Sequence, residues 1–181
     1  MDLSVMWEGR AKITEGDQVI RPELRFQDIH ERGTGYPAAR LKAIKKAAQK
    51  LHTLETMAVN IYKYEITSER KPQNTLLVAA MANEMTHLQD FQTKLCEYGL
   101  RPRKTRFAFW LVGFFLGAGS RLLGPRRILK TNIWAEKKAV LDYQHFLRDV
   151  EWDEETRPLV AKDGADEEGH VERWTQLLGQ L

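Results

Sequence analysis

Two stretches of the chain place a glutamate three residues before a histidine: Glu84-Met-Thr-His87 and Glu167-Glu-Gly-His170. On a helix, positions i and i+3 share a face, so one carboxylate and one imidazole can reach the same metal ion. Sixteen glutamates and five histidines among 181 residues give roughly 0.4 such pairs by chance. A single pair would therefore read as a solvated glutamate beside a structural histidine. Two further carboxylates raise the specificity. Glu55 is followed seven residues later by Tyr62, and Glu136 seven residues later by Tyr143. Seven residues is close to two helical turns, so each glutamate shares a stripe with its tyrosine. The order then repeats: Glu55 to Glu136 and Tyr62 to Tyr143 both span 81 residues, while Glu84 to Glu167 and His87 to His170 both span 83.

Four glutamates and two histidines turned into one core would be strongly destabilising unless ligated or paired. Two divalent cations neutralise four carboxylates. One Glu from each of two helices plus Glu-x-x-His from each of the other two is the carboxylate di-iron or di-manganese arrangement. The expected metal ligands are thus Glu55, Glu84, His87, Glu136, Glu167 and His170, with Glu136 expected to bridge. Oxygen and imidazole donors suit iron or manganese alike. Glu55, Glu136, Tyr62 and Tyr143 are the candidate catalytic residues; each tyrosine either hydrogen-bonds a ligand carboxylate or only packs, and packing with a polar tip is the favoured expectation. Asn83 and Asp166, each preceding a ligand glutamate, could accept the free ring N–H of a histidine on the facing helix. His52, one turn before Glu55, is a further near-site candidate. Asp142-x-x-His145 serves as a control: His145 lies nine residues beyond Glu136, about 180° around the helix, and should face outward.

The elements that must carry these residues read as helices. Leu41, Ile44, Ala48, Leu51, Leu54, Ala58, Ile61 and Tyr62 recur at three and four, predicting a helix from Pro37 to near Ser68. A second begins about Pro72 and stops before Gly99 and Pro102. A third runs from about Arg126 to Val150 and a fourth from about Asp153 to Leu178. The expected fold is an all-α, ferritin-like antiparallel four-helix bundle over residues 37–181, with an extra short apolar helix between the second and third long helices. Residues 1–36 read as a polar extension, with a small hairpin at 13–20.

The extra segment, residues 106–124, is apolar nearly all round. Phe107 to Ser120 would extend about 21 Å as a helix against a hydrocarbon core of roughly 30 Å, too short to span. Arg101, Arg103, Lys104 and Arg106 precede it, and Arg121, Arg126, Arg127 and Lys130 follow. Rings flanked by basic residues favour an interfacial helix lying on anionic lipid; a buried core helix or a self-association surface would use the same residues. The single cysteine, Cys96, excludes an internal disulfide, a Cys-x-x-Cys pair and a thiolate metal site. The net charge of +3 is only mildly basic, and the run Arg40, Lys42, Lys45, Lys46, Lys50 reads as a solvated helix face, so no nucleic-acid partner is expected. Asp2 and Glu8 speak against a secretion signal or transit peptide. The expected location is the cytoplasmic face of a bacterial membrane, or the mitochondrial inner membrane for a processed chain.

Over residues 45–178 the sequence resembles the demethoxyubiquinone hydroxylases, the ferritin-like di-iron monooxygenases of ubiquinone biosynthesis. The matching features are His52-x-x-Glu55 with Tyr62, Asn83-Glu84-x-x-His87, Gly113-Phe-Phe-Leu-Gly-Ala-Gly with Leu122-Leu-Gly, Glu136 with Tyr143, and Asp166-Glu167-x-x-His170. Where that family has small residues around its first glutamate, this chain has Leu54, Thr56 and Met57. The resemblance implies two Fe ions and an electron donor it does not identify. It also implies O2-dependent hydroxylation of a polyprenyl benzoquinone or quinol ring, one oxygen atom entering the ring and the other leaving as water. A ferritin- or rubrerythrin-type ferroxidase or peroxidase is the other enzymatic reading, and a non-catalytic membrane- or partner-binding bundle the third.

Overall fold

The structure, a computed structural model, describes residues 29–181. The hairpin expected at 13–20 lies outside the described residues, as does most of the polar extension. Five helices follow one another: α1 (Ala38–Glu65), α2 (Pro72–Glu97), α3 (Arg106–Leu122), α4 (Pro125–Asp149) and α5 (Thr156–Gly179). No strand occurs among the described residues. Helix α1 packs on α2, α2 on α5, α5 on α4 and α4 back on α1, a closed ring of four. The apolar α3 lies against α1 and α4. This is the expected ferritin-like architecture.

Two helix ends depart from the expected positions for identifiable reasons. Helix α1 stops at Glu65, because the Asn74 side chain bonds both the N–H (2.7 Å) and the C=O (2.6 Å) of Thr67 and holds the chain out of the helix. Helix α5 starts at Thr156, because Asp153 Oδ1 accepts the N–H groups of Glu155 (3.1 Å) and Thr156 (2.9 Å) and ties the turn ahead of it. Arg32 joins three segments: its Nε lies 2.5 Å from Glu97 at the end of α2 and its Nη1 3.1 Å from Asp153, and Nη2 reaches Glu155.

The core divides into two apolar clusters. One gathers Ile44, Leu51, Phe91, Leu95, Tyr143, Phe146 and Trp152. The other gathers Tyr62, Leu77, Ala80, Ile128, Leu129 and Trp174.

Helix α3 approaches α1 backbone to backbone. A Cβ on Gly113 would fall 2.5 Å from the carbonyl oxygen of Met57, and one on Gly117 would strike the carbonyl of Ile61. Only glycine permits that approach. The turn into α4 needs Gly124, whose φ is +94°. The nearly uniform apolar composition of α3 hides two different faces. Trp110 and Phe114 turn toward α1, where Phe114 meets the Tyr64 ring edge-on at 4.7 Å. Phe115 (66 %) and Leu122 (88 %) are exposed, with Phe107 and Val112 beside them. No helix among the described residues is long and apolar enough to cross a membrane.

Candidate metal centre

All six predicted ligand side chains are buried and come together. Glu55 sits on α1, Glu84 and His87 on α2, Glu136 on α4, Glu167 and His170 on α5. They form two groups whose ligand atoms lie within 4.8 Å of one another: Glu55, Glu84, His87 and Glu167; and Glu84, Glu136, Glu167 and His170. The shared members are Glu84 and Glu167. Glu136, expected to bridge, belongs to the second group alone.

His170 Nδ1 lies 2.9 Å from Glu84, 3.3 Å from Glu167 and 3.6 Å from Glu136. His87 Nδ1 lies 3.2 Å from Glu167 and 3.8 Å from both Glu55 and Glu84. Neither oxygen of Glu84 has a properly aligned hydrogen bond. Burial, followed by the charges of Glu167 and Glu84, pushes the carboxyls of Glu55 and Glu136 well above the usual range. Glu84 goes the other way: burial opposes its charge, but His170 and His87 together hold it ionised. Burial also works against the imidazolium of His170, yet the carboxylates of Glu136, Glu167 and Glu84 raise it to about 12, and His87 rises for the same reason. Buried, hard-oxygen and imidazole donors of this number fit two Fe or Mn ions.

Both tyrosines do more than pack. Tyr62 of α1 donates to Glu136 of α4, and Tyr143 of α4 donates to Glu55 of α1 at 2.6 Å. The two bonds run in opposite senses across the same pair of antiparallel helices. Each tyrosine belongs to a different apolar cluster, so the polar centre is enclosed between the two. Trp174, four residues after His170 on the same stripe, donates Nε1–H to the Tyr62 oxygen at 2.9 Å.

Around the ligands, Asp166 lies 3.1 Å from His87 Nε2, the facing-helix partner expected of it. Asn83 instead meets Asp166 at 3.4 Å, and His170 Nε2 has no hydrogen-bond partner. His52 pairs with Gln92 at 3.1 Å, and burial lowers its pKa so that it stays neutral. His145 faces outward and contacts Asp149 at 2.9 Å. Sequence reasoning missed Asp163, fully buried 3.8 Å from His87 Nε2 and 2.7 Å from Lys162 Nζ. Its spacing of four before Glu167 was the available signal.

A cavity of about 530 Å³ opens between α1, α2 and α3, lined by His52, Val59, Leu88, Phe107 and Trp110 among others. A family model described as ubiquinone biosynthesis protein COQ7 matches residues 42–177. No curated protein matches the chain.

Proposed function

Because the chain belongs to the COQ7 family of ubiquinone biosynthesis proteins, we propose that it is an O2-dependent di-iron monooxygenase that hydroxylates a polyprenyl benzoquinone or quinol ring. The observation that supports this most is the pair of buried four-residue groups sharing Glu84 and Glu167. Two iron ions held there would supply the reduction of O2 and the transfer of one oxygen atom to the ring. Glu55 and His87 would complete one site, Glu136 and His170 the other. Asp166 fixes the orientation of the His87 ring through Nε2 and leaves Nδ1 toward the centre. The tyrosine hydroxyls each occupy one oxygen of Glu55 or Glu136 and so restrain which carboxylate oxygen turns inward. The two apolar clusters exclude water from above and below the centre.

The substrate is lipid-soluble, and α3 supplies its route. The exposed Phe107, Phe115 and Leu122 with the basic residues at either end of α3 form a surface that docks on anionic lipid from one side. The cavity beside Phe107 and Trp110 leads inward to His52, one turn from Glu55, and its neutral imidazole keeps Nδ1 without a protein partner. A quinol ring entering there keeps its tail at the lipid face.

The test is anaerobic loading with Fe(II), addition of O2 and a demethoxylated quinol, and mass spectrometry of the product. A gain of one oxygen atom, labelled from ¹⁸O2, is expected. Iron-loaded protein that consumes O2 without oxygenating the quinol would favour a ferroxidase, and protein that purifies without iron or manganese and takes up neither would favour a non-catalytic bundle.

A further inference from the structure

Helix α4 presents a run of cations. From Arg126 to Leu141 it carries Arg126, Arg127, Lys130, Lys137 and Lys138, and its one acid in that stretch, Glu136, is buried in the metal centre. Arg127, Lys130 and Trp134 follow one another at spacings of three and four, so they form one stripe on the helix surface. None of the ion pairs among the described residues includes Arg126, Arg127 or Lys130. Arg126 and Arg127 also stand in the first turn of α4, which holds no acid, at the end where the helix dipole disfavours positive charge.

A cavity of about 340 Å³ opens between α3 and α4 at this stripe, lined by Arg127, Lys130, Thr131 and Trp134 of α4 and Leu116 of α3. Thr131 is more than nine-tenths buried, with 8 % of its surface exposed. Thr53, Thr56, Thr93 and Thr175 each donate their hydroxyl to the carbonyl four residues back in their own helix. The Thr131 hydroxyl makes no such bond and has no partner among the described residues, which leaves its O–H for whatever fills the cavity. The α3 wall is pinned in place: one turn beyond Leu116, Ser120 Oγ donates at 2.5 Å to Glu65, a fully buried carboxyl of α1.

The three donors call for an anion. A guanidinium and an ammonium one turn apart on a helix, with Cβ atoms about 5–6 Å from each other, can both reach the oxygens of one phosphate. The remaining walls call for hydrocarbon. Leu116 and Trp134 are apolar, Phe115 is exposed next to Leu116, and Leu122 and Leu123 are exposed five and four residues before Arg127. A nucleic acid or a phosphopeptide offers the phosphate without the hydrocarbon; a phospholipid offers both.

We infer that this cavity holds the phosphate of an anionic phospholipid, with Arg127, Lys130 and Thr131 donating to its oxygens and its acyl chains running out past Leu116 and Trp134. The inference rests on the reading that α3 docks on lipid. It turns a general attraction to negative lipid into a preference for a phosphate headgroup, and it brings α4 as well as α3 to the membrane surface.

The experiment uses the full chain and vesicles of digalactosyldiacylglycerol, a neutral lipid without phosphate, brought to the same surface charge with either phosphatidylglycerol or cholesteryl hemisuccinate. The wild type should bind the phosphatidylglycerol vesicles about fivefold or more tightly than the carboxylate vesicles. Arg127→Gln/Lys130→Gln, at two exposed positions, should lose that preference. Lys137→Gln/Lys138→Gln removes the same charge from the same helix outside the cavity, so it should weaken both bindings equally and keep the preference. A wild type without the preference overturns the site, as does a preference that survives in Arg127→Gln/Lys130→Gln or is lost equally in Lys137→Gln/Lys138→Gln. Soluble dihexanoylphosphatidylglycerol, followed by the fluorescence change that Trp134→Phe abolishes, should saturate the wild type and not Arg127→Gln/Lys130→Gln. Inorganic phosphate that displaces this lipid at equal concentration, or an oligonucleotide or phosphopeptide that binds more tightly than it, overturns the lipid occupant. A wild type that binds no vesicle at all refutes the docking reading; the soluble lipid then decides the cavity, saturation upholding the site and its absence overturning it.

Discussion

Replacing Glu65 with glutamine should make the protein more stable, by an amount that depends on pH. Its carboxyl titrates at about 8 in the folded chain against an ordinary value of 4.5. Below pH 4.5 the folded and unfolded chains both hold the proton, and glutamine, of nearly the same shape, should change little. Between the two values only the folded chain holds it. Stability then falls as pH rises, at about 1.4 kcal/mol per pH unit for this one group. The accumulated cost is roughly 3 kcal/mol at pH 7 and levels off near about 5 kcal/mol above pH 8. Glutamine carries no such penalty, since it keeps an oxygen for the Ser120 hydroxyl and has no proton to lose. Urea unfolding of metal-free wild type and Glu65→Gln at pH 4.5, 6, 7 and 9 measures the difference, and the other titrating groups cancel between the two proteins. A difference that grows with pH and then flattens is expected. A constant difference, or a variant less stable than the wild type at pH 9, would show that the folded carboxyl ionises at its ordinary pH and that the burial argument is wrong.

Metal analysis should find two ions per chain; Glu84→Ala, which removes a carboxylate common to both groups, should lose nearly all of the metal, Glu136→Ala about half, and His145→Ala none. Loading should release protons, because Glu55 and Glu136 are held as acids and His87 and His170 as imidazolium until a cation replaces those protons; a pH-indicator titration that shows no release would contradict this. Gly117→Ala should lower stability by about 1–2 kcal/mol, the overpacking against the Ile61 carbonyl outweighing the better helix propensity of alanine, as thermal unfolding would show. Phe107→Glu/Phe115→Glu should reduce co-sedimentation with anionic liposomes at least about tenfold while leaving circular dichroism unchanged, since most of each ring's area is exposed.

The clustering of the six buried side chains was legible because helical periodicity and the doubled spacing both act along the chain, where a sequence shows them directly. Four long helices and the outward turn of His145 followed from the same periodicity. Other features depend on which helices meet. Glu65 follows Lys63 and Tyr64 near a helix end and looks solvated; only the close approach of α3, permitted by Gly113 and Gly117, buries it. The exposed face of α3 was hidden because a segment apolar all round has no period to read, so Trp110 and Phe114 were indistinguishable from Phe107 and Phe115. The membership of Glu84 and Glu167 in both groups likewise depends on which helices meet.

The reciprocal tyrosine bonds have a mechanical meaning. Tyr62 reaches from α1 to α4, and Tyr143 reaches from α4 to α1, seven residues further along in each chain direction. A slip of one helix past the other by a turn, about 5.4 Å, would break both at once and could not re-form either with the next residue in line. The pair acts as a dowel and socket at two heights. It resists sliding along the α1–α4 seam, while α3 is seated on α1 by Gly113 and Gly117, by Trp110 and Phe114 against Tyr64, and by Ser120 on Glu65. The separation of Glu55 and Glu136 is thereby tied to the register of α1 against α4, so the two carboxylates keep their places for as long as that register holds.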